Sequence, residues 1–318
     1  MPQMINIHGY KFEVIDSMNY ITLADSFVLN KIGNGHGEGK LYVGNESADL
    51  FDFFDDFSRR CFISRNDMIN YMNEMHSEFL NPTQNYKDPT AVHMNYLISL
   101  HEMEEAKEDL LYFNIFQSHI APPRVYINSR STIYAYIRKV GLPNLSYLSI
   151  MKLRMKNEIL YYFKIFSDFL EAVETIETEK ILENKGIDYV KKEVIITARK
   201  GQGKYREGVL NDCLCCPFTL VNDERLLIAS HIKPWAKCEE KEKTDKKNGF
   251  AFTPTYDKLF DFGFITFNDD KSLVVSPWLS PINQKRLGIH SGKKITKLPL
   301  DDSRKKYLKY HRENIFKG

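Results

Sequence analysis

The chain has 318 residues, 43% of them hydrophobic and 27% charged, with a formal net charge of +2. That length exceeds what one hydrophobic core usually organises, so two domains are expected, and the composition excludes a largely disordered protein. No apolar run of about eighteen residues is present and no basic-then-apolar leader opens the sequence, which argues against a membrane span or secretion.

Five cysteines, an odd number without an export signal, fit free thiols in a reducing cytoplasm. The small net charge conceals an asymmetry. Residues 191–318 hold 26 Lys and Arg against 16 Asp and Glu, whereas residues 1–190 hold 18 against 26. The C-terminal part thus has the sign expected of a polyanion binder. Within the acidic half, residues 120–164 form a basic island. It carries Arg124, Arg130, Arg138, Lys139, Lys152, Arg154, Lys156 and Lys164 against a single acid, Glu158.

Taken in order, residues 1–45 mix short β-branched and aromatic runs with turn residues, predicting a small sheet or hairpins. The glycine-rich GNGHGEGK, Gly33 to Lys40, fails as a phosphate loop. Asn34 stands where the first glycine is needed and Leu41 where a Mg²⁺-binding Ser or Thr is needed, so a mobile turn-rich loop is the reading. Apolar residues at three- and four-residue spacing predict helices over 46–80 and 92–117. The same spacing, through Leu148, Met151, Met155, Ile159, Tyr162 and Phe166, predicts a further core-facing helix. With GLPN, Gly141 to Asn144, as its connecting turn, the basic island reads as a helix pair with a basic, tyrosine-bearing DNA-reading surface. Acidic Glu171 to Asp188 reads as a helix end and linker stopped by Gly186, placing a domain boundary near residue 190.

The C-terminal part is patterned differently. LLIASHI, Leu226 to Ile232, reads as a strand that delivers His231 at its end. Asn248 follows in KNGFAFT, ahead of a second strand. Asp257 follows in TYDKLFDFG, in the first turn of a helix opened by Pro254 and capped by Gly263, with Tyr256, Leu259 and Phe260 as its apolar face.

This order of strand, charged loop, strand and helix resembles the HNH, or ββα-metal, nucleases, in the branch found in bacterial restriction enzymes. The matching pieces run over about 199–318: RKGQGKYREGVL, CCPFT, ASHIKPW, KNGFAF, TYDKLFDFGFITF, SPWLS and YLKYHRENIF. The resemblance implies His231 as general base, Asn248 as the residue tying the loop between the strands, and Asp257 as the ligand of a single Mg²⁺, for which Mn²⁺ can substitute. No organic cofactor is implied. Many relatives carry an acid or histidine just before the base, whereas here that position is Ser230. The candidate metal set is therefore Asp257, Ser230 and Asp261. Cys213, Cys216 and Cys238 lack the second pair a zinc site needs and read as thiols. His311 and Glu313, in the terminal segment, read as packing residues.

The expected fold class is α+β. A C-terminal ββα-metal nuclease domain (191–318) follows a mostly helical N-terminal DNA-recognition domain (1–190) with a few short strands. The expected function is Mg²⁺-dependent cleavage of double-stranded DNA by a type II restriction endonuclease. A modification-dependent restriction enzyme and a DNA-binding protein with a degenerate nuclease domain are the alternatives. Candidate DNA contacts are Arg124, Arg130, Arg138, Lys139, Lys152, Arg154 and Lys156 in the basic island and Lys204, Arg206 and Lys233 beside the nuclease motif. A homodimer on DNA and a cognate DNA methyltransferase are the expected companions, and the cytoplasm the expected location.

Overall fold

A computed structural model describes residues 2–32, 39–45, 48–118, 124–167 and 203–318. The chain divides into two compact units, Met1–Ile176 and Glu177–Gly318. The glycine-rich loop (apart from Gly39 and Lys40), the acidic linker and the boundary near 190 lie outside the described residues.

The N-terminal unit is built on a sheet of six strands in the order β1-β2-β8-β9-β4-β5. These are β1 (Gln3–Ile7), β2 (Tyr10–Thr22), β4 (Arg60–Ser64), β5 (Leu110–Asn114), β8 (Ser146–Met155) and β9 (Glu158–Ser167). All neighbours are antiparallel except β4 and β9, which run parallel. A second sheet, in the order β3-β7-β6, joins β3 (Leu41–Asn45), β7 (Arg124–Asn128) and β6 (Phe116–Ser118). Around them lie α1 (Ala48–Phe53), α2 (Arg65–Glu74), α3 (His76–Leu80), α4 (Pro89–Glu105) and α5 (Thr132–Val140). Side-chain oxygens of Ser64, Asp88 and Ser131 accept amide hydrogens from Asp67, Ala91 and Ile133, capping α2, α4 and α5.

Three expectations are corrected here. Among the described residues the unit is not mostly helical. The helices expected over 46–80 and 92–117 are interrupted by β4 and give way after Glu105 to β5 and β6. Residues 146–167 are not a helix but the hairpin β8-β9, turned at Lys156, whose φ is +56°. The apolar spacing misleads because both faces of these strands are covered. Eight consecutive residues, Ser146 to Leu153, are buried, and a strand buried on two sides shows no alternation that distinguishes it from a helix. The aromatic run Tyr161–Tyr162–Phe163 then favours the pleated form. Leu148, Ile150, Tyr161, Phe163 and Ile165 join one core cluster with Met68, Tyr71 and Met72 of α2 and Tyr134 and Ile137 of α5. The expected helix pair is accordingly one helix, α5, followed by a hairpin.

The C-terminal unit, among its described residues, opens with α6 over 203–213. It continues through β10 (Ile228–His231), β11 (Gly249–Phe252), α7 (Pro254–Asp261), β12 (Ile265–Phe267), β13 (Leu273–Val275), α8 (Pro281–Arg286) and α9 (Asp302–Asn314). Phe250, Phe252, Phe260 and Phe267 form its aromatic centre, with ring centroids 5.4 to 6.4 Å apart. α7 ends as the sequence suggests. Gly263 has φ +68°, its amide donates to Phe260 and that of Phe264 to Leu259, and a Cβ at Gly263 would strike the Ile315 carbonyl.

Phe163 is fully buried and meets Phe113 edge-on at 5.1 Å. Phe163→Ala should lower the stability of the N-terminal unit by about 3–5 kcal/mol, read as a shift of its urea unfolding midpoint.

Candidate functional site

The C-terminal site is arranged around the antiparallel pair β10-β11, whose register sets Ser230 opposite Phe250 and His231 opposite Gly249. Successive side chains on a strand point to opposite faces. Ser230 is buried, and its hydroxyl donates to Asp261 Oδ1 at 3.1 Å. His231 meets Tyr205 of α6 on the other face, ring on ring, with centroids 3.9 Å apart and planes 10° apart. This stacking needs a glycine at 249: a Cβ there would lie 2.4 Å from the Tyr205 hydroxyl and 2.7 Å from Val209. The Tyr205 hydroxyl also donates to the Asn248 carbonyl at 3.0 Å.

His231 Nε2 lies 3.3 Å from the carbonyl of Lys243. A carbonyl only accepts, so the contact places the proton on Nε2 and leaves the lone pair on Nδ1. Burial lowers the imidazole pKa below the ordinary histidine value, partly offset by that carbonyl. Burial thus favours the neutral form of the side chain.

Asn248 is fully buried and laces the loop that separates the two strands. Its Oδ1 accepts the Lys233 amide at 2.8 Å, and its Nδ2 donates to the Lys233 carbonyl at 3.1 Å and to Cys238 Sγ at 3.1 Å. Its backbone carbonyl accepts from Ile232 and its amide donates to Asp245. Asp257 is buried in the first turn of α7, one helical turn ahead of Asp261. Residues four apart share a helix face, Asp257 at its buried end and Asp261 at its exposed one.

No group of three or more His, Cys, Asp or Glu poised to hold a metal occurs among the described residues. The donors at hand are the oxygens of Asp257, Asp261 and Ser230. They suit an open site for a hard cation whose remaining positions go to water and phosphate, not a closed cage.

The proposed DNA contacts are dispersed, and the structure gives several of them other work. Lys152 is buried, donating to the Asp52 carbonyl and pairing with Asp55. Arg154 pairs with Glu13. Arg138 donates to the Phe27 carbonyl, and Lys139 sits over the Tyr136 ring. Arg206 donates to the carbonyls of Leu227 and Glu224, pinning the approach to β10. Lys233 pairs with Glu242. Lys156, at the hairpin turn, and Lys204, on α6, are exposed. Arg124 and Arg130 are exposed and lie over the rings of Tyr42 and Phe116.

The thiols of Cys213 and Cys216 are buried, the first 3.4 Å from the Arg304 guanidinium and the second 3.7 Å from the Thr253 hydroxyl. His311 is a core residue, stacked on Phe260 at 3.8 Å and bonded to Thr266 and the Phe260 carbonyl. Glu313, expected to pack, is exposed and faces Lys309. Tyr205 was not legible in KYREGVL as a site residue, because nothing local marks a tyrosine as the platform for a histidine 26 positions later.

Residues 216–268 match the family model described as HNH endonuclease. The C-terminal unit carries an HNH endonuclease domain. The matched span encloses His231, Asn248 and Asp257 together with Ser230 and Asp261. Comparison with curated proteins returned no match for the chain.

Two outcomes are expected of this HNH unit. Tyr205→Ala should open His231 to solvent and move its pKa up toward ~6.5, whereas Tyr205→Phe should leave it low; an NMR titration of the His231 ring protons reads both. Burial pushes His311 down to about 4, against the bond to the Phe260 carbonyl that raises it. An unfolded histidine titrates near ~6.5, so the unfolded chain takes up this proton first. The contribution is complete above that pH and is lost as pH falls toward 4, by about 3 kcal/mol. In His311→Gln this part of the slope should vanish from urea unfolding measured across that range.

Proposed function

We propose that the chain is a divalent-metal-dependent endonuclease for double-stranded DNA, a type II restriction enzyme with a ββα-metal catalytic unit. Its N-terminal unit selects where the cut falls. The observation that carries this reading is His231 at the end of β10 inside the matched span, with Nε2 against the Lys243 carbonyl and Nδ1 as its basic nitrogen.

In this reading His231 takes a proton from a water molecule, whose oxygen attacks the phosphorus. The P–O3′ bond breaks, leaving 5′-phosphate and 3′-hydroxyl ends. Tyr205 and the Lys243 carbonyl fix the imidazole plane and tautomer. Asn248 keeps the loop, and thus that carbonyl, in register with the strand. Asp257 and Asp261 would hold Mg²⁺, or Mn²⁺, with Ser230 orienting Asp261. The ion, when bound, supplies charge stabilisation for the phosphate and the leaving oxygen. Hard oxygen donors favour such ions over Zn²⁺.

One such active site per chain and two DNA strands imply two copies acting on each duplex. A restriction activity implies a companion methyltransferase that protects the host's own sites.

His231→Ala should lower the rate of plasmid cleavage in Mg²⁺ by about 10²–10⁴-fold. Asp257→Ala should abolish cleavage yet retain DNA binding in a gel-shift assay. Wild-type cleavage of unmodified plasmid into discrete bands, lost in EDTA, is the expected positive result. Cleavage by His231→Ala at the wild-type rate would overturn the mechanism. Discrete bands only from methylated plasmid would replace the restriction class by a modification-dependent one.

A further inference from the structure

Five of the eight basic residues of the island fall into two chemically different groups. On the six-stranded sheet, Lys152, Arg154 and Lys164 each pair with an acid: Asp55, Glu13 and Asp67. At the three-stranded sheet, Arg124 on β7 and Arg130 two residues beyond its end meet aromatic rings. Arg124 lies 5.7 Å from the Tyr42 ring centre and Arg130 5.9 Å from that of Phe116.

The register explains the grouping. Tyr42 is opposite Tyr126, Ser118 is opposite Tyr126 on the other side, and Phe116 is opposite Asn128. Alternation therefore puts Tyr42, Tyr126, Phe116, Asn128 and Arg124 on one face. Leu41, Val125 and Ile127 form the opposite face and are fully buried in the core. The outer face keeps Tyr42 and Phe116 about two-fifths exposed, at 41% and 42%. The rings of Tyr42 and Tyr126 are 5.6 Å apart. None of the residues of β3, β6 and β7 is acidic.

A shallow depression adjoins this face, lined by Lys40, Phe57, Phe116, Asn128 and Arg130 among others. The acid at its rim, Asp56, already accepts the amide and hydroxyl of Ser58 at 2.9 and 2.6 Å. Exposed rings flanked by guanidinium groups, with amide and hydroxyl groups between them, match the two halves of a nucleotide. Base faces stack on the rings and phosphates meet the cations. A B-form duplex hides its base faces, so rings presented in this way have a partner only where bases are unstacked.

We propose that the outer face of the β3-β7-β6 sheet binds unpaired nucleotides, and that the N-terminal unit grips a locally opened or single-stranded segment of its nucleic acid. The proposal rests on the reading of this unit as the DNA-selecting part, but not on the chemistry of the HNH unit.

The test is fluorescence anisotropy with the full chain in EDTA, using a labelled 20-nucleotide single-stranded DNA, the duplex made from it, and an RNA of the same sequence. Wild-type protein should bind the single strand more tightly than the duplex. Tyr42→Ala and Phe116→Ala should each weaken that binding about tenfold, while Tyr42→Phe should retain it, which separates ring loss from misfolding. Arg124→Gln should reduce the salt dependence of log affinity by about 0.7. The RNA arm decides which sugar the face accepts. Equal binding of duplex and single strand that both ring deletions leave unchanged would overturn the proposal. So would absence of single-strand binding, the outcome expected if a protein partner covers this face. Because binding is read in EDTA, apart from cleavage, a failure of the catalytic reading leaves this result intact, and the reverse also holds.

Discussion

The amide of Asn248 closes the HNH site. Between β10 and β11 the chain makes a long charged excursion that includes Lys237, Glu239, Glu240, Lys241, Glu242 and Lys243. Such a segment has no apolar face with which to bury itself, and ordering it costs conformational entropy. Asn248 offsets that cost by bonding both the amide and the carbonyl of Lys233, as a neighbouring strand would. Because the side chain is buried, these bonds form away from competing water. The Lys243 carbonyl, which sets the tautomer of His231, is held by this closed loop. Lys243 also places its ammonium over the Trp235 ring at 4.3 Å, tying the middle of the loop to its beginning.

The other edge of the pair is held by charge. Arg304 of α9 is buried and donates to the Gly249 carbonyl at 3.0 Å. It pairs with Asp212 of α6 at 2.6 Å and with Asp301 at 3.0 Å, and Lys247 bonds the same two acids. Burial alone would raise the Asp212 pKa, but the bonds from Lys247 and Arg304 outweigh it and hold the carboxyl at about 2. A buried cation is tolerated only with such complete pairing. The cluster therefore joins α6, which carries Tyr205, to the strand opposite His231. The terminal segment YLKYHRENIF serves the same end, since His311 stacks on Phe260 of α7.

In the N-terminal unit, charge on the sequence proved a poor guide to charge available for a ligand. A count of Lys and Arg between 120 and 164 cannot separate Lys152, buried against Asp52 and Asp55, from Arg124, exposed over Tyr42. The acids that neutralise the hairpin are Glu13 of β2, Asp55 beyond the end of α1 and Asp67 of α2, distant in sequence and brought close by the fold. The same fold leaves an aromatic and cationic face on the smaller sheet.

The order of strand, loop, strand and helix around His231, Asn248 and Asp257 was legible in the sequence because each signal is local. An apolar run ends in histidine, an Asn-Gly opens the next strand, and proline and glycine punctuate the helix. The hairpin over 146–167 was not legible, because burial on both faces erases the alternation by which a strand is read. Tyr205 beneath His231, Arg304 beneath Gly249 and Ser230 beside Asp261 depend on residues separated by 26, 55 and 31 positions. Sequence by itself determined the order of the short elements of the C-terminal unit and where His231, Asn248 and Asp257 sit along them, since propensity and capping act over a few residues. Tertiary structure alone decided which nitrogen of His231 stays basic, which cations are already neutralised and which face remains open, since these follow from contacts between distant segments.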